Sequence, residues 1–86
     1  MDFETALQEF TKEMRAKFQL RDVKHGDDSV LKVGVVNADY RVIADKLVDE
    51  YHEWLAAPEE TEEEAAETVD VANSAFLIWW WSQEHP

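Results

Sequence analysis

The sequence predicts an all-α fold: a small antiparallel helical domain of three main helices, with residues 1–86 forming a single domain. Three observations predict it. Only two Gly and two Pro occur among the 86 residues, so the chain lacks the punctuation of a turn-rich β fold. Apolar residues recur at intervals of three and four over two long stretches, the period of a helix face and not of a strand. A third stretch opens with a helix-capping signature and then becomes apolar almost without interruption.

The first helix is expected over residues 2–20. Phe3, Leu7, Phe10, Met14 and Phe18 form one stripe, which reads as a core-packing face opposite a solvated one. Asp2 is a suitable N-cap. Glu4 and Glu9 come early, and Arg15, Lys17 and Arg21 late, as the helix dipole favours. The period breaks over residues 21–39, where Lys24, His25, Gly26, Asp27, Asp28 and Ser29 have the chemistry of a loop. Within it, residues 30–36 read VLKVGVV, a β-branched run expected to form a short strand or an extended segment. A single strand forms no sheet by itself.

The second helix is expected over residues 38–57, capped by Asn37 or Asp39, with Ile43, Leu47, Tyr51 and Trp54 as its apolar stripe. At about 100° per residue, Glu50 falls inside the edge of that stripe, while Glu53 and Lys46 lie just outside it. A carboxylate on an apolar face is costly unless it is paired or metal-bound. Glu50 therefore asks for a partner in a way that Glu59 or Glu62 does not. Pro58 ends this helix by steering its predecessor out of the helical region. Thr61 and Glu64 then match a capping box.

The third helix is expected over residues 62–83. Its acidic start suits the dipole. Its second half, with Phe76, Leu77, Ile78, Trp79, Trp80 and Trp81, is apolar around its whole circumference. Such a helix is buried on all sides, so a homodimer or homotetramer that covers the Trp face in a multi-chain helix bundle is expected. The polar residues that interrupt it, Asp70, Asn73 and Ser74, need partners. The last residues, 82–86, are expected to fray.

Composition narrows the function. The formal net charge is −12, which repels nucleic acid and anionic membrane surfaces and attracts metal cations or a basic protein partner. Adaptation to salt is a further source of such acidity. With no Cys, a disulfide, a thiolate zinc site and a cysteine nucleophile are excluded. Asp2 and Glu4 follow Met1 where a signal peptide has basic and apolar regions. The longest apolar run, residues 75–81, is too short to span a bilayer. A cytoplasmic protein is expected.

Two acidic pairs carry the chemistry. Glu50 and Glu53 are three apart, as are Glu67 and Asp70, with thirteen residues between the pairs. Residues three apart share a helix face. If the two helices pack antiparallel, four carboxylates meet, an oxygen cage suited to the hard cation Mg²⁺. With twelve Glu in the chain, such pairs also arise as ordinary solvated faces. Two features set these apart: Glu50 intrudes on an apolar stripe, and Asp70 and Asn73 lie within an apolar helix.

The order Glu50-x-x-Glu53, thirteen residues, Glu67-x-x-Asp70, then Val71, Ala72 and Asn73 resembles the MazG-like family of all-α nucleoside triphosphate pyrophosphohydrolases. The family signature is E-E-x-x-E, a spacer and E-x-x-D, often continuing as D-V-A-N; here Asp49 stands at the first position. The segment Arg21, Asp22, Lys24, His25, Gly26 is similar to the basic, glycine-containing stretch after the family's first helix. The resemblance implies Mg²⁺ ligands at Glu50, Glu53, Glu67 and Asp70, with Mn²⁺ as a substitute. It implies a nucleotide contact from Asn73 and a nucleoside triphosphate substrate cleaved by water to the monophosphate and pyrophosphate. Mg²⁺ would neutralise the phosphate oxygens. Glu50 and Glu53 are the residues assigned to catalysis, a carboxylate not used as a ligand orienting the attacking water. Lys24, Arg21, Lys46 and Arg41 are candidates to hold phosphates, with His25 beside them. The competing expectation is an inactive acidic protein that occupies a basic protein surface.

Overall fold

Helix α1 runs over Phe3–His25, α2 over Val30–Val33, α3 over Tyr40–Ala56 and α4 over Glu62–Glu84. A 3₁₀ turn at Gly26–Asp28 precedes α2. The computed structural model describes all 86 residues, Met1–Pro86. It contains no strand. No helix is long and apolar enough to cross a membrane. The chain divides into two compact units, Met1–Val33 and Gly34–Pro86.

In the first unit, α1 begins as its sequence predicts: Asp2 Oδ1 accepts from Thr5 N–H at 2.7 Å. This bond holds the Asp2 carboxyl below its ordinary pKa. The helix continues past Leu20, because Lys24 and His25 fall in the last turn, where positive charge suits the dipole. It stops at Gly26, whose φ of 61° is open to glycine and whose N–H donates to Asp22 O. The expected core stripe is only partly buried. Phe18 is enclosed and Met14 half-buried, whereas Phe3, Leu7 and Phe10 are exposed.

The extended segment expected at residues 30–36 is corrected by the structure. Val30–Val33 is a single helical turn. Ser29 makes it so: its Oγ accepts from Leu31 N–H at 3.2 Å, and its carbonyl accepts from Lys32 and Val33 at 2.9 and 3.0 Å. With no partner strand, β propensity gains nothing and local capping decides. Gly34, with φ 73°, turns the chain out of the helix.

The second unit is an antiparallel hairpin of α3 and α4. Asp39, and not Asn37, caps α3 by accepting from Arg41 N–H at 2.9 Å. Thr61 caps α4 by accepting from Glu64 N–H at 3.2 Å. Glu64 reaches back to Glu60 N–H at 3.4 Å, one residue short of a full capping box. Two hydrogen bonds fix the helices against each other at either end. Trp54 Nε1 donates to Thr68 Oγ1 at 3.0 Å near the loop. Trp81 Nε1 donates to Ala38 O at 3.0 Å at the open end. There Tyr40 also stacks at a tilt on Trp81, 5.0 Å between ring centres. The C-terminal residues are more ordered than expected: α4 reaches Glu84, and His85 stacks on Trp81 at 3.8 Å. Val35, Ile43, Ala57 and Val69 form the buried apolar set of this unit. Tyr51 and Trp79 remain exposed.

Candidate metal centre

Antiparallel packing places the middle of α3 against the middle of α4, where the acidic pairs lie. One ligand oxygen each from Glu50, Glu67 and Asp70 falls within 4.8 Å of the others. Glu50 is 3 % exposed, and Glu67 and Asp70 are half-buried. Positions 67 and 70 share a face of α4 because they are one turn apart. Glu50 meets them because Ile43, Leu47 and Trp54 turn its side of α3 toward α4. Oε2 of both Glu50 and Glu67 is fully enclosed.

Lys46 Nζ lies 2.8 Å from Glu50 Oε1. Burial of a carboxylate is tolerable only with such a counter-charge or a cation. The two residues are four apart on α3, a spacing at which helix side chains meet. Lys46, a candidate for holding phosphate, is thus also the partner of a candidate ligand.

Glu53 stands apart from the other three. It is exposed, one turn from Glu50, and not within the group of three oxygens. Its carboxyl is pushed above the ordinary value. The cause is first its hydrogen bond with Glu50, then the negative charge of Glu50, desolvation and the charge of Glu67, opposed by Lys46. Asn73, one turn along α4 from Asp70, is 1 % exposed, and Ser74 beside it is fully buried. Arg21 is half-buried and Lys24 and His25 are exposed, all in the last turns of α1 in the first unit. Arg41 is exposed and pairs with Asp45 at 3.6 Å.

The donor set fits a hard divalent ion. All three groups offer carboxylate oxygen, the ligand type of Mg²⁺. Octahedral Mg²⁺ at its usual bond length separates its ligands by about 2.9 to 4.1 Å. The spacing here needs only small side-chain movements to reach that. Like charges held this close repel one another unless a counter-charge or a cation offsets them.

Sequence reasoning missed the groove that continues from this cluster toward the open end of the hairpin. It has a volume of about 430 Å³ and is walled by Val42, Ile43 and Leu77, with Lys46, Asp49 and Ser74 among its polar residues. Only the enclosed Ser74, a polar residue in an apolar helix, hinted at it. No family model, curated protein or solved structure matches this chain.

Proposed function

We propose that the chain is a Mg²⁺-dependent nucleoside triphosphate pyrophosphohydrolase that releases a monophosphate and pyrophosphate. The observation that carries this reading is the meeting of Glu50, Glu67 and Asp70 across two helices, with oxygens within 4.8 Å, at three of the four positions that the MazG-like signature assigns to metal. Chance pairs on solvated faces have no reason to converge, nor to bury Glu50.

Bound Mg²⁺ would supply charge neutralisation on the phosphate oxygens. Glu50, Glu67 and Asp70 are the residues to hold it. Glu53 is better suited to proton transfer than to ligation. It is exposed and lies outside the group of three oxygens, so its carboxylate is the one left to take a proton from water. Lys46 offers its ammonium to phosphate once Glu50 is satisfied by a cation, and Asn73 is the residue that the resemblance assigns to the nucleoside. The exposed apolar residues Val48, Tyr51, Leu55, Phe76 and Trp79 support a homodimer or homotetramer as the working assembly.

The test is pyrophosphate release from a panel of NTPs and dNTPs with and without Mg²⁺, repeated with Mn²⁺. Turnover should need the metal and fall by at least about a hundredfold in Glu50→Gln and in Asp70→Asn. If both variants keep metal binding and turnover, the reading fails. The hairpin carries only Arg41 and Lys46 against thirteen Asp and Glu. Salt-sensitive, Mg²⁺-indifferent capture of a basic protein without any turnover would instead identify an acidic binding surface.

A further inference from the structure

We propose that Lys46 is a switch between the carboxylate cluster and the phosphates: it holds Glu50 while no cation is bound and turns to phosphate when one is, so that metal and phosphate bind cooperatively through this one side chain. The inference rests on the nucleotide reading above and adds to it how the filling of the site is regulated.

The geometry lets the lysine leave and keeps the glutamate in place. Lys46 Nζ lies 2.8 Å from Glu50 Oε1, a charge-assisted bond across one helical turn. Glu50 is almost wholly enclosed, whereas the lysine side chain is half-exposed. Burial therefore pins the carboxylate, while the ammonium can turn on its flexible four-carbon stem. Lys46 also lines the groove that opens beside the cluster, so the ammonium has open space to turn into.

Electrostatics then gives the direction of the exchange. A buried carboxylate needs a counter-charge, and Lys46 supplies one to Glu50. An oxygen of Glu50 also lies within 4.8 Å of oxygens from Glu67 and Asp70, where a divalent cation would meet the same need with twice the charge. Lys46 kept at Glu50 would then face that cation across one carboxylate, and like charges so close repel. The lysine yields because it is the partner that solvent can take back. A phosphate gives the ammonium a new acceptor, since lysine serves phosphate oxygens as a compact point charge. Phosphate that draws Lys46 away in turn clears Glu50 for the metal, and by reciprocity each ligand strengthens the other by the same factor. A lysine that only supported Glu50 as a ligand would act in the opposite sense, and its removal would loosen the metal.

Calorimetric titration of the full chain, first with Mg²⁺ alone and then with pyrophosphate in excess Mg²⁺, separates the two roles. In Lys46→Met, Mg²⁺ alone should bind at least about tenfold more tightly than in the native chain, and pyrophosphate at least about tenfold more weakly. Lys46→Gln keeps a polar contact with Glu50, carries the test if the methionine variant does not fold, and should move both affinities the same way by less. Lys32→Met removes an equal charge from an exposed side chain paired with Asp27 at 4.0 Å. It should change neither affinity by more than about twofold. Mg²⁺ binding that is weakened or unchanged in the Lys46 variants, pyrophosphate binding that is unchanged, or a native chain that binds no Mg²⁺ overturns the inference. The crossed shift in a chain that releases no pyrophosphate from any nucleotide would uphold it and sink the pyrophosphohydrolase reading. Metal-dependent turnover without the crossed shift would do the reverse.

Discussion

Lys46 Nζ lies 2.8 Å from Oε1 of Glu50, a carboxylate that is 3 % exposed. The pair is a charge-assisted bond within one helical turn, half in solvent on the lysine side. It is what allows a glutamate to sit among Ile43, Leu47 and Trp54. It also occupies the carboxylate that a divalent cation would take.

Removing the lysine charge therefore exposes the cost of burying Glu50. Lys46→Met keeps the alkyl stem and should destabilise the chain by about 1 to 3 kcal/mol at neutral pH, measured by urea unfolding. The lower end is expected because the lysine is half-exposed. Addition of Mg²⁺ should recover more stability in this variant than in the native chain. Equal gains in both would show that Lys46 and the metal do not share Glu50.

Glu53 gives a pH dependence whose sign is fixed. Its folded-state pKa is raised, chiefly by the hydrogen bond with Glu50, so the folded chain holds a proton that the unfolded chain has released. Stability from this group rises as pH falls through the folded pKa, and is fully present below the unfolded one. Thermal unfolding from pH 7 downward should show this gain before acid denaturation begins, and Glu53→Gln should lack it. Mg²⁺ favours the charged form and should lower the Glu53 pKa, seen as side-chain carboxyl shifts in an NMR titration.

The Trp54–Thr68 bond sets the register of the hairpin near its loop. Trp54 Nε1 donates to Thr68 Oγ1, which itself donates to Glu64 O at 2.8 Å. A double-mutant cycle of Trp54→Phe with Thr68→Val should give a coupling of about 0.5 to 1.5 kcal/mol. Loss of register at this bond should also lower Mg²⁺ affinity, because Glu67 is its neighbour in sequence.

Glu60 holds φ at 60°, the one residue other than glycine in the left-handed region. A side chain is strained there by about 1 kcal/mol or more. Glu60→Gly removes the strain at some cost in chain entropy. The variant should be as stable as the native chain or up to about 1 kcal/mol more so, read by its Tm. A clear loss of stability would show that the Glu60 side chain makes a compensating interaction in solution.

Much of this molecule is legible in sequence because its signals are local. Caps at Asp2, Asp39 and Thr61 act over two or three residues, and all three are realised. The stop at Pro58 and the need of Glu50 for a partner follow from rules that span one turn. Where two local rules compete, tertiary context or a cap decides between them. The β-branched run at 30–36 reads as extended, but Ser29 caps a helical turn over Val30–Val33 instead. Charges after Leu20 suggested a loop, but they suit the end of α1, which runs on to Gly26.

By itself the sequence determined the helical class, three helix starts and the spacing that puts Glu67 and Asp70 on one face, since each depends on neighbours within a turn. Only the tertiary structure decided which carboxylates converge. The pairing of α3 with α4 is set by the 57–61 connection and by Trp54 on Thr68 and Trp81 on Ala38, contacts that join residues 14 and 43 positions apart. That register brings Glu50 to Glu67 and Asp70 and leaves Glu53 exposed one turn away. It also encloses Ser74 at the groove wall. Four carboxylates equal in spacing become three candidate ligands and one candidate base, because burial acts on the side of a helix that its neighbour covers and not on a motif.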